Sequence, residues 1–230
     1  TLETLKNLLM ERIGYFEMNE SLKEILFSSE LFGNDLTESL GSIQFGLRDV
    51  VEANFDFLQP VPIAVITNLK KDRVLVIKKN KSTVSANSPE RDKILLYIGG
   101  HPRFEDSTEV ISHDFISMCK STLRREVKEE IGISIALNDI QPFYIYAPFN
   151  ERSKKHLAVC FLISIDEEGV KLHLDSHELI LNKGKSKSGK FLSFDEVCQE
   201  KELEEWSEII LRHCFDIDYE SNRQMSLFEE

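Results

Sequence analysis

Three glutamates lie close together near the middle of the chain, at a spacing that could bind a metal ion. Glu126, Glu129 and Glu130 are related as i, i+3 and i+4. In an α-helix this spacing places the three side chains within an arc of about 100°. Like charges at i, i+4 repel by roughly 0.2 to 0.5 kcal/mol, and a bound hard cation such as Mg²⁺ or Mn²⁺ would offset that repulsion. The spacing indicates a divalent-metal site, although an acidic helix side is also common as plain solvated surface.

The element that must position these acids is a helix over residues 113–131. Ser112 is the expected N-cap, and Gly132 is the expected C-terminal stop. Leu123 and Val127 belong to an apolar stripe beside the glutamates. We therefore expect the acids at the edge of the buried stripe, directed along the surface or into a cleft.

Strand patterns surround this helix. Two β-branched runs separated by the polar turn 68–72 predict a hairpin over residues 61–65 and 74–77. Further strands are expected at 93–98, 140–147 and 156–165, a loop at 181–190 and a closing helix at 194–215. Residues 45–218, which contain these elements, are expected to form the main domain.

The two ends of the chain differ from this central part. Residues 1–44 are expected to be a helical N-terminal extension, because apolar residues recur at three-to-four spacing: Leu5, Leu8, Leu9, Ile13, Leu22, Ile25 and Leu26. Residues 219–230 are expected to be a polar C-terminal tail. The chain begins with Thr1, so preceding sequence could have been removed.

Composition restricts the possible partners. The 230 residues are 41% hydrophobic and carry a formal net charge of -12, which argues against nonspecific binding of nucleic acid. The four cysteines form no C-x-x-C pair and are expected to be reduced, buried thiols. No run approaches the roughly 18 apolar residues of a membrane span. We expect a soluble cytoplasmic protein with no membrane partner, in which local basic residues could still bind an anion.

Residues 125–133, Arg-Glu-Val-Lys-Glu-Glu-Ile-Gly-Ile, resemble the second half of the Nudix box, R-E-U-x-E-E-x-G-U with U aliphatic, at every specified position. The first half, G-x5-E, fits less well. Counting from Gly100 reaches Asp106, and counting from Gly99 reaches Glu105. We prefer Asp106, because a glycine pair after an apolar strand usually places the box glycine second. Between Asp106 and Arg125 lie 18 residues, against seven in the family pattern.

The Gly-Gly-His start at residues 99–101 and the Glu-x-Trp-Ser segment at 204–207 resemble a divergent branch of Nudix phosphoesterases. The resemblance implies an α/β/α sandwich with a mixed β-sheet, here preceded by the helical extension. It also implies metal-dependent hydrolysis of a phosphoanhydride bond in a nucleoside diphosphate linked to another group, or in a similar small phosphorylated molecule. Metals and carboxylates can supply the charge neutralisation and the positioned water that this reaction needs.

The resemblance also assigns roles to residues. Glu126, Glu129 and Glu130 would bind Mg²⁺ or Mn²⁺, with the backbone carbonyl of Gly100 or Gly99 as a further ligand. Arg125 would tie the helix to the first half of the motif, residues 99–106, which is called the box loop below. The tie would be a pairing with Asp106 or Glu105, which the inserted residues put in question. The candidates for contacting substrate are Arg48, His101, Arg103 and Glu178. The alternative is a Nudix-like module that senses a nucleotide or binds a protein without hydrolysis.

Overall fold

The computed structural model describes residues 11–79, 93–108, 114–168, 171–174, 187–200 and 202–219. The strands in this part of the chain are β1 (Arg12–Glu17), β2 (Leu31–Phe32), β3 (Gln44–Leu47), β4 (Phe57–Asn68), β5 (Arg73–Lys79), β6 (Ile94–Leu95), β7 (Ile98–Gly99), β8 (Phe143–Ile145), β9 (His156–Ile165) and β10 (Lys187–Ser193). The helices are α1 (Glu20–Leu26), α2 (Leu36–Ser39), α3 (Arg48–Ala53), α4 (Phe104–Thr108), α5 (Phe115–Ile131), α6 (Phe194–Gln199) and α7 (Glu205–Phe215). The predicted α/β class is confirmed.

The described residues form two compact units. Within the described ranges, the first draws on residues up to Ile63, on Gly99–Glu126 and on Ile135–Phe161, and the second on the described residues of Ala64–Ile98, Val127–Ser134 and the part after Phe161. The elements β4, α5 and β9 contribute residues to both. The predicted bounds of an N-terminal extension and a following domain stay predictions.

In the first unit, antiparallel pairs surround a buried core. β1 pairs with β3 and, at its far end, with the start of β4, and β8 pairs with β2 and β9. Helix α1 begins where the Asn19 side chain accepts a hydrogen bond from the backbone N–H of Leu22 at 2.8 Å. The side chains of Phe16, Leu26 and Phe161 are fully buried or nearly so. This unit carries the box loop and the first part of α5.

The prediction of a continuous helical N-terminal segment is wrong at residues 12–17, which form β1. Ile13 continues the leucine spacing in sequence, but its strand pairs with β3 and its side chain is fully buried there. Pairing with a distant strand outweighs a local helical pattern that only one residue carries here. Leu22 and Leu26 do lie on a helix, α1, whereas Leu5, Leu8 and Leu9 lie outside the described residues.

In the second unit, the predicted hairpin is confirmed. β4 and β5 are antiparallel, with Thr67 opposite Val74, and Asn68 organises the turn by accepting hydrogen bonds from the backbone N–H groups of Asp72 and Arg73. β5 also pairs with β6 and along its full length with β10, and Ile94 makes a parallel bridge to Leu203. This sheet is therefore mixed.

Several predicted elements differ in detail. The single strand predicted over residues 93–98 is interrupted, so that β6 ends at Leu95 and β7 begins at Ile98. Between them, the backbone N–H of Leu96 donates to Ser207 Oγ at 3.1 Å and not to a neighbouring strand. The predicted loop 181–190 is a strand from Lys187 onward, because its backbone pairs with β5. The closing helix is divided into α6 and α7, with Glu204 capping the second. No helix in the described ranges is long and apolar enough to cross a bilayer.

Candidate functional site

Helix α5 carries the three glutamates, and it begins and ends for local reasons. Asp114 Oδ1 accepts a hydrogen bond from the backbone N–H of Ser117 at 2.9 Å, so Asp114 caps the helix. The predicted cap, Ser112, lies outside the described residues. Gly132 ends the helix as predicted, with φ of 77° in the left-handed region, and an added Cβ there would lie 2.2 Å from His173 Nδ1. Both conditions require glycine.

The glutamates lie at the edge of the buried stripe, as predicted. Glu126 is buried, Glu129 is exposed, and Glu130 is half-buried. The stripe beside them contains Leu123 and Val127, both fully buried. Within the described ranges, no three His, Cys, Asp or Glu side chains converge on one point. The three glutamates lie on one side of the helix without converging. Joint coordination of a metal ion therefore requires some of their side chains to change rotamer.

Arg125 forms a bidentate ion pair with Asp106. Its Nε and Nη2 atoms each lie 2.8 Å from a carboxylate oxygen of Asp106. The Asp106 carboxylate also accepts from the backbone N–H of Arg103 at 2.9 Å and from Thr122 Oγ1 at 3.0 Å. Burial acts to raise the pKa of Asp106, but these hydrogen bonds and the Arg125 charge lower it below its ordinary value. The predicted tie between helix and box loop is confirmed with Asp106, and the enlarged loop does not prevent it.

Arg125 also reaches the first acid. Its Nη1 lies 2.5 Å from Glu126 Oε1, and its Nη2 donates to the backbone carbonyl of His101 at 3.4 Å. The long Arg125 side chain folds back along the helix to make this contact. A single guanidinium links Asp106, the loop at His101 and a candidate metal ligand.

The glycine pair lets the box loop pass close to its neighbours. An added Cβ on Gly99 would lie 2.1 Å from the backbone oxygen of Pro62, and one on Gly100 would lie 2.5 Å from Glu126 Oε1. The backbone N–H of Gly100 donates to Pro62 O at 3.3 Å. A residue with a Cβ at position 100 would therefore displace the Glu126 carboxylate, whereas glycine leaves it in place.

The two predicted substrate-binding arginines both contact one carboxylate. Arg48 Nη1 lies 2.9 Å from Glu11 Oε2, and Arg103 Nε lies 2.7 Å from Glu11 Oε1. Arg48 also pairs with Glu52 at 2.8 Å. Burial opposes ionisation of Glu11, but the two arginines lower its pKa overall. Sequence reasoning missed Glu11, because its partners are 37 and 92 residues away (48 − 11 and 103 − 11) and no local pattern connects them.

His101 lies in a half-buried polar group that sequence reasoning found only in part. Its Nε2 is 3.1 Å from Gln59 Oε1, and its ring meets the His156 ring edge-on with centroids 5.7 Å apart. Burial, with the nearby positive charge of Arg48 adding to it, lowers the pKa of His101 well below its ordinary value. Burial lowers the pKa of His156 to about 4. Both rings are neutral near pH 7. Gln59 could have been noticed as a polar residue in an apolar strand, and Glu178 lies outside the described residues.

Comparison of the structure with solved proteins gives consistent neighbours. Tm1382, a candidate Nudix hydrolase, is 22% identical, with a TM-score of 0.58 over 86% of this chain and 95% of that one. A MutT Nudix hydrolase from Burkholderia pseudomallei is 15% identical, with a TM-score of 0.42 over 67% of this chain and 97% of that one. A bifunctional NMN adenylyltransferase/ADP ribose pyrophosphatase from Francisella tularensis is 17% identical, with a TM-score of 0.41 over 68% of this chain and 41% of that one.

These comparisons bear on the fold. The likeness to Tm1382 extends over most of both chains and shows a shared Nudix fold. No family profile matches the sequence, and no curated protein sequence matches it either.

Proposed function

We propose that this chain, which has the Nudix fold, is a divalent-metal-dependent hydrolase of a phosphoanhydride bond. Its substrate would be a small phosphorylated molecule, such as a nucleoside diphosphate linked to another group. The observation that carries the proposal is the contact of Arg125 with both Asp106 and Glu126. It joins the two halves of the Nudix-like motif although 18 residues separate Asp106 from Arg125.

The residues present fit a hard divalent cation in their chemistry. Glu126, Glu129 and Glu130 offer carboxylate oxygens, and the backbone of Gly100 passes so close to the Glu126 carboxylate that a Cβ there would lie 2.5 Å from Oε1. These four residues would hold Mg²⁺ or Mn²⁺. When bound, the cation supplies charge neutralisation on phosphoryl oxygens and makes a coordinated water more acidic. Donors made entirely of oxygen favour these ions over softer metals.

The chain's own residues would position the attacking water and bind the substrate. One of the glutamates orients the attacking water or takes its proton, and Arg125 keeps Glu126 in position. Arg48 and Arg103, held side by side by Glu11, bind anionic oxygens of the substrate. Neutral His101 offers a hydrogen bond and no charge. Glu178 stays a proposed further acid. The free, mostly buried cysteines suit the cytoplasm that we propose as its location.

A second candidate is a Nudix-like module that binds a nucleotide or a protein without turnover. It is favoured by the cationic partners that two of the acids already have, Arg125 on Glu126 and Lys79 on Glu130. In that case the carboxylates would serve the fold and not catalysis.

A substrate panel separates the two candidates. The purified chain is incubated with Mg²⁺ or Mn²⁺ and a broad set of diphosphates and dinucleotides, and released phosphate and nucleotide are measured. Metal-dependent release from at least one compound supports the hydrolase. Thermal stabilisation by a compound that is not hydrolysed, with no turnover across the panel, supports the binding module.

Replacing Gly100 with alanine is expected to impair hydrolysis more than folding. The new Cβ would lie 2.5 Å from Glu126 Oε1, so the carboxylate must move. A carboxylate at the end of a flexible side chain can move at little cost in stability, yet a displacement of about 1 Å in a catalytic site costs on the order of 100-fold in rate. The measurements are kcat with Mn²⁺ and the midpoint of thermal unfolding.

Gly41→Ala is the matched control, because an added Cβ there meets nothing within 4 Å. It adds the same methyl group away from the box loop and should leave kcat unchanged. Equal kcat values for Gly100→Ala and the unmodified chain would remove Gly100 from the site.

A further inference from the structure

Lys79 and Glu130 form an ion pair at the candidate metal helix. Lys79 Nζ lies 3.5 Å from Glu130 Oε1, and their side chains are 13% and 15% exposed. The second carboxylate oxygen of Glu130, Oε2, is buried. A carboxylate removed from water in this way is costly unless a positive charge is close. Lys79 supplies such a charge.

Glu126 and Glu130 have different cationic partners, Arg125 on α5 and Lys79 on β5, and the two contacts differ in geometry. Arg125 is fixed by two contacts of 2.8 Å to Asp106, so its guanidinium stays in place whatever Glu126 does. Lys79 is a point charge on a flexible four-carbon stem, and its contact with Glu130, at 3.5 Å, is long for a hydrogen bond. The contact between Lys79 and Glu130 is therefore the longer and less directional of the two.

We propose that Lys79 is an internal substitute for the metal ion, which holds Glu130 in the metal-free protein and competes with a divalent cation for it. The proposal rests on the proposed function, because it takes Glu130 as a metal ligand. Two cations cannot share one half-buried carboxylate without repulsion, and such charges are only weakly screened by salt. Metal binding therefore includes the loss of this ion pair, and the apparent metal affinity is lower than the glutamates alone would give.

The chain offers a matched control in the adjacent residue. Lys78 lies on the same strand, β5, and its side chain points to the other face. It contacts Glu202 at 3.6 Å, and the Glu202 side chain is 58% exposed. Lys78→Met removes the same charge from the same strand without touching Glu130.

The test is calorimetric titration of the full chain with Mn²⁺, in the absence of substrate. We expect Lys79→Met to bind Mn²⁺ about 3- to 10-fold more tightly than the unmodified chain, which is the effect of removing one partly buried competing cation. Lys78→Met should stay within about 2-fold, the effect of one distant, screened charge. Metal-free Lys79→Met should unfold at lower temperature, since Glu130 loses the ion pair with Lys79. If that variant does not fold, Lys79→Gln replaces it with the same expectation.

The outcomes separate this inference from the proposed function. If the unmodified chain binds Mn²⁺ and neutralising Lys79 leaves the affinity unchanged or weaker, the competition is overturned and the hydrolase stands. A tightening that Lys78→Met reproduces equally also overturns it. Tighter binding specific to Lys79, in a protein that hydrolyses nothing, overturns the function alone. If the unmodified chain binds no Mn²⁺, both fail.

Discussion

Glu130→Gln is expected to lower metal-dependent turnover by about 100-fold or more. The glutamine amide is neutral and a weaker ligand for a hard cation than a carboxylate. Metal-held charge stabilises the transition state of phosphoryl transfer by several kcal/mol, and losing about 3 kcal/mol of it corresponds to roughly 100-fold in rate. The measurement is kcat and kcat/KM at several Mn²⁺ concentrations, on whichever compound of the panel is hydrolysed.

The control for this variant is Glu24→Gln. Glu24 is exposed on α1, so the same chemical change on another helix should leave kcat unaltered. Thermal unfolding must be followed in parallel, because Glu130→Gln leaves Lys79 facing an amide in place of its carboxylate partner. Undiminished kcat in a folded Glu130→Gln protein would show that this glutamate is not part of the catalytic site.

The features that could be predicted from sequence are those encoded within a few residues. The end of α5 at Gly132 could be predicted, because a glycine that follows an amphipathic stripe and adopts the left-handed conformation is a local signal. The hairpin of β4 and β5 is similar, since Asn68 forms the turn with residues four and five positions later. The glutamates at the stripe edge follow from helical periodicity alone.

The features that could not be predicted depend on residues far apart in the chain. Strand β1 exists because β3 pairs with it and because Gly14 N–H donates to the box loop at Pro102 O, over 2.9 Å. Nothing near Ile13 specifies those partners. The Glu11 contacts with Arg48 and Arg103 are set by the same pairing. Lys79 also became a candidate only in the structure, since 51 positions (130 − 79) separate it from Glu130 in sequence.

The contact of Arg125 with Asp106 could be predicted in part from the sequence. The motif supplied the two partners, and the length of the intervening segment gave reason to question their contact. The geometry explains why the contact survives. Asp106 is held by its own loop through the N–H of Arg103 and by α5 through Thr122, so both ends of the insertion are fixed near the same carboxylate.

Asp106→Asn is expected to destabilise the protein by about 3 kcal/mol at pH 7, the lower end of the range for breaking a buried ion pair from one side. The Asp106 side chain is 4% exposed and that of Arg125 is 19% exposed, so the arginine would be left charged, partly buried and poorly paired. Because Arg125 also positions Glu126, we expect kcat to fall by about 10- to 100-fold, as for other residues that orient metal ligands. Urea unfolding and kcat measure the two effects.

The pH dependence of this difference follows from the direction of the pKa shift. The pKa of Asp106 is lower in the folded protein than in the unfolded chain, where it is about 3.9. Its contribution is therefore fully present above about pH 4 and is lost as the pH falls through the lower, folded value. The gap in unfolding free energy between the unmodified chain and Asp106→Asn should narrow below pH 4. Asp139→Asn, at an exposed position after α5, should show no gap at pH 7. A gap that stays constant down to pH 2 would mean that the Asp106 charge does not stabilise this fold.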